Sequence, residues 1–309
     1  MSFVRFLVTM PWFVSLRIMA TGSFGCFALF GNTRQLQLNR SPFDLHGRRA
    51  FVTGGTQGVG AVIARSLAQA GADVVILGLE DDDSARCTLE ACRSFGAQAE
   101  LIVQDLAQSP EHYVDDLFSR VNTLMPGIDL LVNNAGTYID PPFLKLTHDS
   151  FQKTMYLNVH AGFFITQAFA RNWIKAGTQG RVLFTGSING FLAEPDHTAY
   201  DTSKGAVAAM VRSLCVTLAP HKIRVNSMAP GLVRTPLTDV LNQKPELDQW
   251  MKLHTPSGEV PEAEVCGGAA VFLLSDAAHH IHGQTLYVDG GMSCWQQPDP
   301  PAGWNMRQA

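Results

Sequence analysis

A chain of 309 residues has the length of one large domain or two small ones, which excludes a mini-protein and argues against a repeat array. With 46% hydrophobic and 16% charged residues it can bury a sizeable core and is no disordered chain. The net charge of -4 hides an asymmetry, because residues 1–43 hold Arg5, Arg17, Arg34 and Arg40 and no acid; the remainder is more acidic still, the opposite of a nucleic-acid footprint.

In chain order, the first 43 residues differ from all that follows. Their apolar stretches, 11 residues between Arg5 and Arg17 interrupted by Pro11 and 16 residues up to Arg34 with three glycines, fall short of the ~20 needed to span a bilayer. Three readings stay open for this segment: a disordered extension or misplaced start, with Met10 and Met19 available; a targeting sequence; or a membrane anchor. The body is placed at 44–292 and an irregular tail with Pro298, Pro300 and Pro301 at 293–309. A cytoplasmic location is expected, or an organellar or membrane-associated one if residues 1–43 are a real targeting segment. Six cysteines at 26, 87, 92, 215, 266 and 294 form no C-x-x-C pair and read as reduced thiols.

From Arg48 short apolar runs alternate with amphipathic helical stretches. Ala50-Phe51-Val52 leads into a glycine-rich turn, and Val59, Val62, Ile63, Leu67 and Ala70 then recur at i, i+3, i+4 spacing up to a stop at Gly71. Further strands are expected at 74–77, 101–103, 128–132, 181–185, 223–226 and 285–288, with helices at 111–124, 149–175, 199–219 and 262–275. Parallel neighbours need crossover helices, so the pattern predicts one α/β domain built on a doubly wound seven-stranded parallel sheet with helices on both faces.

The turn Thr53-Gly54-Gly55-Thr56-Gln57-Gly58-Val59-Gly60 lets backbone N–H groups approach a pyrophosphate, and the helix N-terminus behind it adds about half a positive charge. Its T-G-x-x-x-G-x-G spacing resembles that of the short-chain dehydrogenase/reductase family. The resemblance runs on over about residues 45 to 292, through Asp105-Leu106, Asn133-Asn134-Ala135-Gly136, Asn158, Ser187, Tyr200 with Lys204 in Y-x-x-x-K, and Pro230-Gly231, Val233 and Thr235. It implies a Rossmann-type fold and an NAD(P)-dependent oxidoreductase acting on a secondary alcohol or ketone. Asn158, Ser187, Tyr200 and Lys204 are then catalytic, and Thr53, Gly54, Gln57, Gly58, Val59, Gly60, Asp105, Leu106, Asn133, Ala135, Gly136, Tyr200, Lys204, Pro230, Gly231, Val233 and Thr235 hold the cofactor. The family also implies a homo-oligomer, dimer or tetramer, paired through the helices at 149–175 and 199–219.

Hydride transfer to or from a carbinol carbon also moves a proton. A tyrosine pKa of about 10 must drop by ~3 pH units, or ~4 kcal/mol, to serve near neutrality. A cation ~4 Å away at an effective dielectric of ~20 contributes about that much, and on a helix Lys204 lies one turn from Tyr200 on the same face. Ser187, ending a strand, faces the crevice and can hold the substrate oxygen. Asn158 interrupts a helical pattern with an amide; by resemblance it holds a water leading from Lys204 to solvent.

Two departures bear on the cofactor. Gly78 and Leu79 stand where relatives place an aspartate for NAD or an arginine for NADP, and Gln57 stands where NADP users often carry Arg or Lys. Glu80 to Asp83 read as a solvated loop whose charge still opposes an extra phosphate, so NAD(H) is favoured over NADP(H). Gly186 replaces a second serine common in relatives. Between Ser187 and Tyr200, the polar Asn189, Glu194, Asp196 and His197 either turn to solvent at the crevice rim or line it, where they disfavour a greasy substrate and make Glu194 a candidate partner for a substrate hydroxyl. A sugar or polyol is favoured, with a 3-oxoacyl-(acyl-carrier-protein) reductase as the alternative and a non-catalytic dinucleotide-binding regulator behind both. Residues 236–260 read as a mobile lid, and His279, His280 and His282 as a solvated loop with no metal.

Overall fold

The structure is a computed structural model that describes residues 41–139, 141–238 and 244–295. The expectations for residues 1–40 and for the tail from 296 onward, and Leu241 of the expected lid, lie outside that set. Strands β1 (Arg49–Thr53), β2 (Asp73–Gly78), β3 (Ala99–Val103), β4 (Leu130–Asn133), β5 (Arg181–Thr185), β6 (Arg224–Pro230) and β7 (Thr285–Val288) form one sheet in the order β3-β2-β1-β4-β5-β6-β7. Every neighbouring pair is parallel. The order reverses direction between β1 and β4, and there the crevice above the strand ends opens.

Successive residues of a strand point to opposite faces, and here both faces are buried. Phe51, Leu131 and Phe184 look onto helices α3 (Val114–Leu124), α5 (Ala161–Ala176) and α6 (Thr198–Leu218), where Leu117, Phe169, Trp173 and Val211 complete the core. Val52, Ile76 and Leu183 look the other way, onto α1 (Gly58–Gln69) and α2 (Asp83–Ser94), where Ile63, Leu67, Leu89 and Cys92 pack. This doubly wound seven-stranded α/β architecture is the predicted one.

Four local features differ from the sequence reading. The acidic run ends in a helix: Asp82 N-caps α2 by accepting the Ala85 N–H at 2.8 Å, Asp83 sits in its first turn, and both carboxylates complement the helix dipole. The pattern at 149–175 is two helices, α4 (His148–Met155) and α5, joined by a π-helical turn at Tyr156–His160. The expected lid contains a helix, α7 (Pro245–His254), with Pro245 at its start, Glu246 and Asp248 in its first turn, and Trp250 packed on His254 at 4.0 Å. Strand β6 continues through Ser227 to Pro230, buried throughout.

Below the sheet, α8 (Val265–Leu274) ends on two buried guanidiniums. Arg181 donates to Leu274 O at 2.6 Å and pairs with Asp276, while Arg224 donates to Leu273 O at 3.0 Å and Ser275 O at 2.9 Å. These bonds satisfy the carbonyls that a helix C-terminus leaves free. Among the described residues, no helix is long and apolar enough to cross a membrane.

Candidate active site

At the switch point three strand ends are tied together. Thr53 Oγ1 accepts the backbone N–H groups of Asn134 at 3.0 Å and Ala135 at 3.1 Å, and Asn134 Nδ2 donates to Thr53 O at 3.2 Å and Gly54 O at 3.0 Å. Asn134 Oδ1 accepts the Thr185 hydroxyl at 3.0 Å, which brings in β5. Asn134 belongs to the N-N-A-G run that carries the resemblance but is not among the expected cofactor contacts, whereas the expected contact Asn133 donates from its amide to Thr166 of α5 at 2.9 Å. The Leu106 and Val233 side chains are likewise buried in the core, which leaves their backbones to meet a ligand. Asp105 lies past the end of β3, accepting the Ala107 N–H at 2.8 Å.

The glycine turn has the shape that a pyrophosphate needs. Gly54 adopts φ +61°, and a Cβ at Gly60 would stand 2.0 Å from Gly54 O, so a side chain at position 60 would collide with the turn itself. Helix α1 begins at Gly58 with no side-chain cap and no acid in its first turn, leaving its N–H groups toward the crevice. Thr235 approaches Gly58 from the loop after β6, its Cβ 3.5 Å from where a Gly58 side chain would begin, and Gly231 in the same loop donates its N–H to Val288 O at 3.0 Å. The residues present therefore fit a dinucleotide: the Thr53–Gly60 turn has room for its phosphates, and the loop after β6 that carries Gly231 and Thr235 borders the same turn.

The four expected catalytic residues converge beside this cradle. Lys204, 6% exposed, donates from Nζ to Thr185 O at 3.0 Å and lies 5.5 Å from the centroid of the Tyr200 ring. Burial lowers its pKa to about 8. The Tyr200 hydroxyl is held by a hydrogen bond with Ser187. Its burial pushes the phenol up, the Ser187 bond pulls it down, and the charges of Asp201 and Glu194 push it up again. In this arrangement burial is the largest influence on the phenol and opposes its ionisation.

Asn158 lies in the π-helical turn, a distortion common at functional sites. Its Oδ1 accepts the Thr137 N–H at 2.8 Å, and its Nδ2 donates to Thr137 O at 3.0 Å and Ser203 Oγ at 3.0 Å. Ser203 in turn donates to Tyr200 O at 2.7 Å, which links Asn158 to the first turn of α6. Asn133, Asn158, Thr185 and Lys204 border a cavity of about 10 Å³, on the order of the room one water needs.

On the substrate side, Glu194 is half-buried rather than turned to solvent. It accepts from Asn189 Nδ2 at 3.3 Å and faces His197 Nε2 at 3.9 Å. Tyr138 stacks on His197 at 4.5 Å between ring centroids and meets Tyr200 edge-on at 5.6 Å. Sequence reasoning passes over Tyr138, whose only signal is its place two residues after the N-N-A-G run. Gly186, whose role the sequence leaves open, is explained by packing: a Cβ there would come within 2.8 Å of Ser227 Oγ on β6.

A parallel sheet with a glycine-lined phosphate cradle at its switch point, and a Ser-Tyr-Lys cluster beside it, defines a dinucleotide-dependent oxidoreductase. Comparison with known proteins carries this further. The model of a family described as Enoyl-(Acyl carrier protein) reductase matches residues 54–293. Gluconate 5-dehydrogenase of Gluconobacter oxydans is 36% identical over 253 residues, covering 81% of this chain and 96% of that protein. The 3-oxoacyl-(acyl-carrier-protein) reductase FabG of Aquifex aeolicus is 33% identical, covering 80% and 98%. A crystal structure of a gluconate 5-dehydrogenase from Burkholderia cenocepacia in complex with NADP and tartrate superposes with a TM-score of 0.77 at 33% identity, covering 82% of this chain and 98% of that one. The chain belongs to the short-chain dehydrogenase/reductase family, and it is an NAD(P)-dependent oxidoreductase acting on CH–OH groups.

Proposed function

We propose that the enzyme oxidises a secondary hydroxyl of a sugar or polyol, or reduces the corresponding ketone, with Asn158, Ser187, Tyr200 and Lys204 as its catalytic residues. The observation that carries the assignment is the convergence of Ser187 and Lys204 on Tyr200 at the switch-point crevice. The nicotinamide, when bound, supplies the hydride acceptor or donor. Ser187 holds the substrate oxygen while Tyr200 Oη takes up or returns its proton. The Lys204 ammonium orients the cofactor's ribose and favours the ionised phenol, and the small polar cavity between Lys204 and Asn158 gives the proton a way onward. Thr53, Gly54, Gln57, Gly58, Val59 and Gly60 would hold the dinucleotide's phosphates, and Asp105 with the Leu106 backbone its adenine end. Ala135 and Gly136 would line its middle, and Pro230, Gly231, Val233 and Thr235 would hold its nicotinamide end.

The sugar or polyol reading is supported by Glu194, half-buried on the crevice loop, which can accept from a substrate hydroxyl where an acyl chain would strand its carboxylate. Several relatives bear names of sugar or sugar-acid dehydrogenases, among them the Gluconobacter gluconate 5-dehydrogenase. The reductase alternative has its own relative in the Aquifex protein. NAD(H) is the proposed preference: Leu79 is 63% exposed where NADP users need a cation, and the nearby Arg86 is engaged by Asp81 at 3.2 Å and Asp83 at 3.0 Å. The NADP bound in some solved relatives makes this a direct question. The catalytic domain spans 44–292 in this reading, works as a homo-oligomer and resides in the cytoplasm, a location that cell fractionation tests.

The test is a panel of sugars, polyols and acetoacetyl thioesters assayed with NAD(H) and NADP(H), with Tyr200→Phe as control. We expect a higher kcat/KM for a hydroxyl-rich substrate with NAD(H). The Phe variant should lose turnover by about a thousandfold, the middle of the range for a lost proton transfer, while still binding cofactor. Preference for the thioester moves the assignment to the reductase. Activity of Tyr200→Phe within about tenfold of the parent overturns the site.

A further inference from the structure

We propose that Asp201 is a positioning residue that sets Ser187 for catalysis through Asn189. Asp201 follows Tyr200 in the first turn of α6, but its carboxylate reaches across to the loop that follows Ser187 rather than capping its own helix. Oδ1 accepts from Asn189 Nδ2 at 2.8 Å, and Oδ2 accepts the Glu194 N–H at 3.1 Å. Asn189 is buried, and its other atoms grip the serine: its N–H donates to Ser187 Oγ at 3.1 Å, and its Oδ1 accepts from the Ser187 hydroxyl at 3.3 Å. Ser187 also bonds the Tyr200 phenol. The chain of contacts thus leaves α6 at Asp201, crosses Asn189 and Ser187, and returns to α6 at Tyr200.

This closed path answers a packing problem. The loop turns sharply at Ile188–Gly190, with Gly190 pressed against the Lys204 backbone so closely that a Cβ would lie 3.0 Å from Lys204 O. It then passes through Asp196 at φ +61°, a left-handed conformation that a non-glycine residue rarely holds without outside support. Asp201 supplies two anchors to this segment, one at Asn189 within the turn and one at Glu194 between the turn and the strained residue. A carboxylate has acceptors on both oxygens and no donor, so it alone among side chains of this size satisfies both N–H groups at once.

The proposal rests on Ser187 holding the substrate oxygen, and the experiment separates the two. Asp201→Ala is expected to lower kcat by about tenfold or more while the Kd for NADH, read by fluorescence, stays near that of the parent. On a Ser187→Ala background the same substitution is expected to cost less than about twofold, because the group through which it acts is gone. Asp201→Asn keeps the shape and one acceptor oxygen, and should fall between parent and Ala; it carries the test if the Ala variant does not fold. Equal losses on both backgrounds, or Asp201 variants at parental kcat beside an impaired Ser187→Ala, overturn this proposal alone. A Ser187→Ala enzyme at parental activity overturns the reading of Ser187 and this proposal with it.

Discussion

Lys204 places a cation where almost no water reaches it, with a hydrogen bond at 3.0 Å to Thr185 O. Burial disfavours the charged form, hence its pKa of about 8. The sign of the consequence follows from linkage. Between about pH 8 and the ordinary lysine value of about 10.4, the unfolded chain binds the proton that the folded one has lost, so this group makes stability rise with pH in that window. Cofactor binding, which uses the ammonium, has the opposite slope. We predict that the Kd for NADH is flat below about pH 8 and weakens above it, at most about tenfold per pH unit, and that Lys204→Met binds weakly with no such dependence. Fluorescence titrations from neutral to alkaline pH measure this, and a parental Kd that stays flat throughout would contradict the role given to the ammonium. The raised Tyr200 phenol adds a second slope, since alcohol oxidation needs its ionised form and should quicken as pH rises.

At the scale of elements, α5 and α6 serve two functions with two faces. Their inner residues, Phe169 and Trp173 on α5 and Val207 and Val211 on α6, complete the core against the sheet. Their outer faces carry Phe163 at 38%, Phe164 at 40% and Val216 at 76% exposure, apolar side chains that a monomer would leave in water. Pairing through these helices, as proposed for the homo-oligomer, would cover them and steady the first turn of α6, which bears Tyr200. We predict that Phe164→Glu combined with Val216→Glu lowers the oligomeric state in analytical ultracentrifugation and reduces activity in parallel. An unchanged sedimentation coefficient would move the interface elsewhere. The π-helical turn between α4 and α5 belongs to this scale too: it carries the buried Asn158, which bonds both backbone groups of Thr137.

For the molecule as a whole, the described architecture closes around the sheet. Leu45 is fully buried, its N–H bonded to Ala70 O at 2.8 Å, and Ala277 donates to Pro42 O at 2.9 Å. The segment just before β1 is thus part of the packed body. A chain beginning at Ser41 is accordingly predicted to fold, stay soluble and retain full kcat/KM, whereas one beginning at Arg48 loses the Leu45 anchor and several degrees of Tm. Thermal denaturation of the two truncated chains beside the full one checks this. Insolubility of the Ser41 chain would mean that residues 1–40 are needed for folding.

Much of this molecule follows from its local sequence. Strands such as Arg181–Thr185 and Thr285–Val288 announce themselves as short apolar runs between turns, and the ordered spacing of Thr53 to Gly60, Ser187, Tyr200 and Lys204 is legible because each motif lies on consecutive residues or one helical turn. What the reading overlooked locally, α2 and α7, did carry end signals: Asp82 and Asp83 at the start of one, Pro245 and Glu246 at the start of the other. A charge run and a mixed lid segment masked them. Other features had no local signal at all. Strand β6 runs on through Ser227 to Pro230 because β5 and β7 flank it on both sides, although its own residues are weakly apolar. Gly186 packs against Ser227, Asn158 bonds Thr137, and Asp201 bonds Asn189, partners 12 to 41 positions apart. The direction of the Tyr200 and Lys204 pKa values belongs with them, since desolvation depends on everything packed around a side chain. A sequence records the neighbours along the chain; burial, and the contacts that folding brings together, exist only once the chain has closed upon itself.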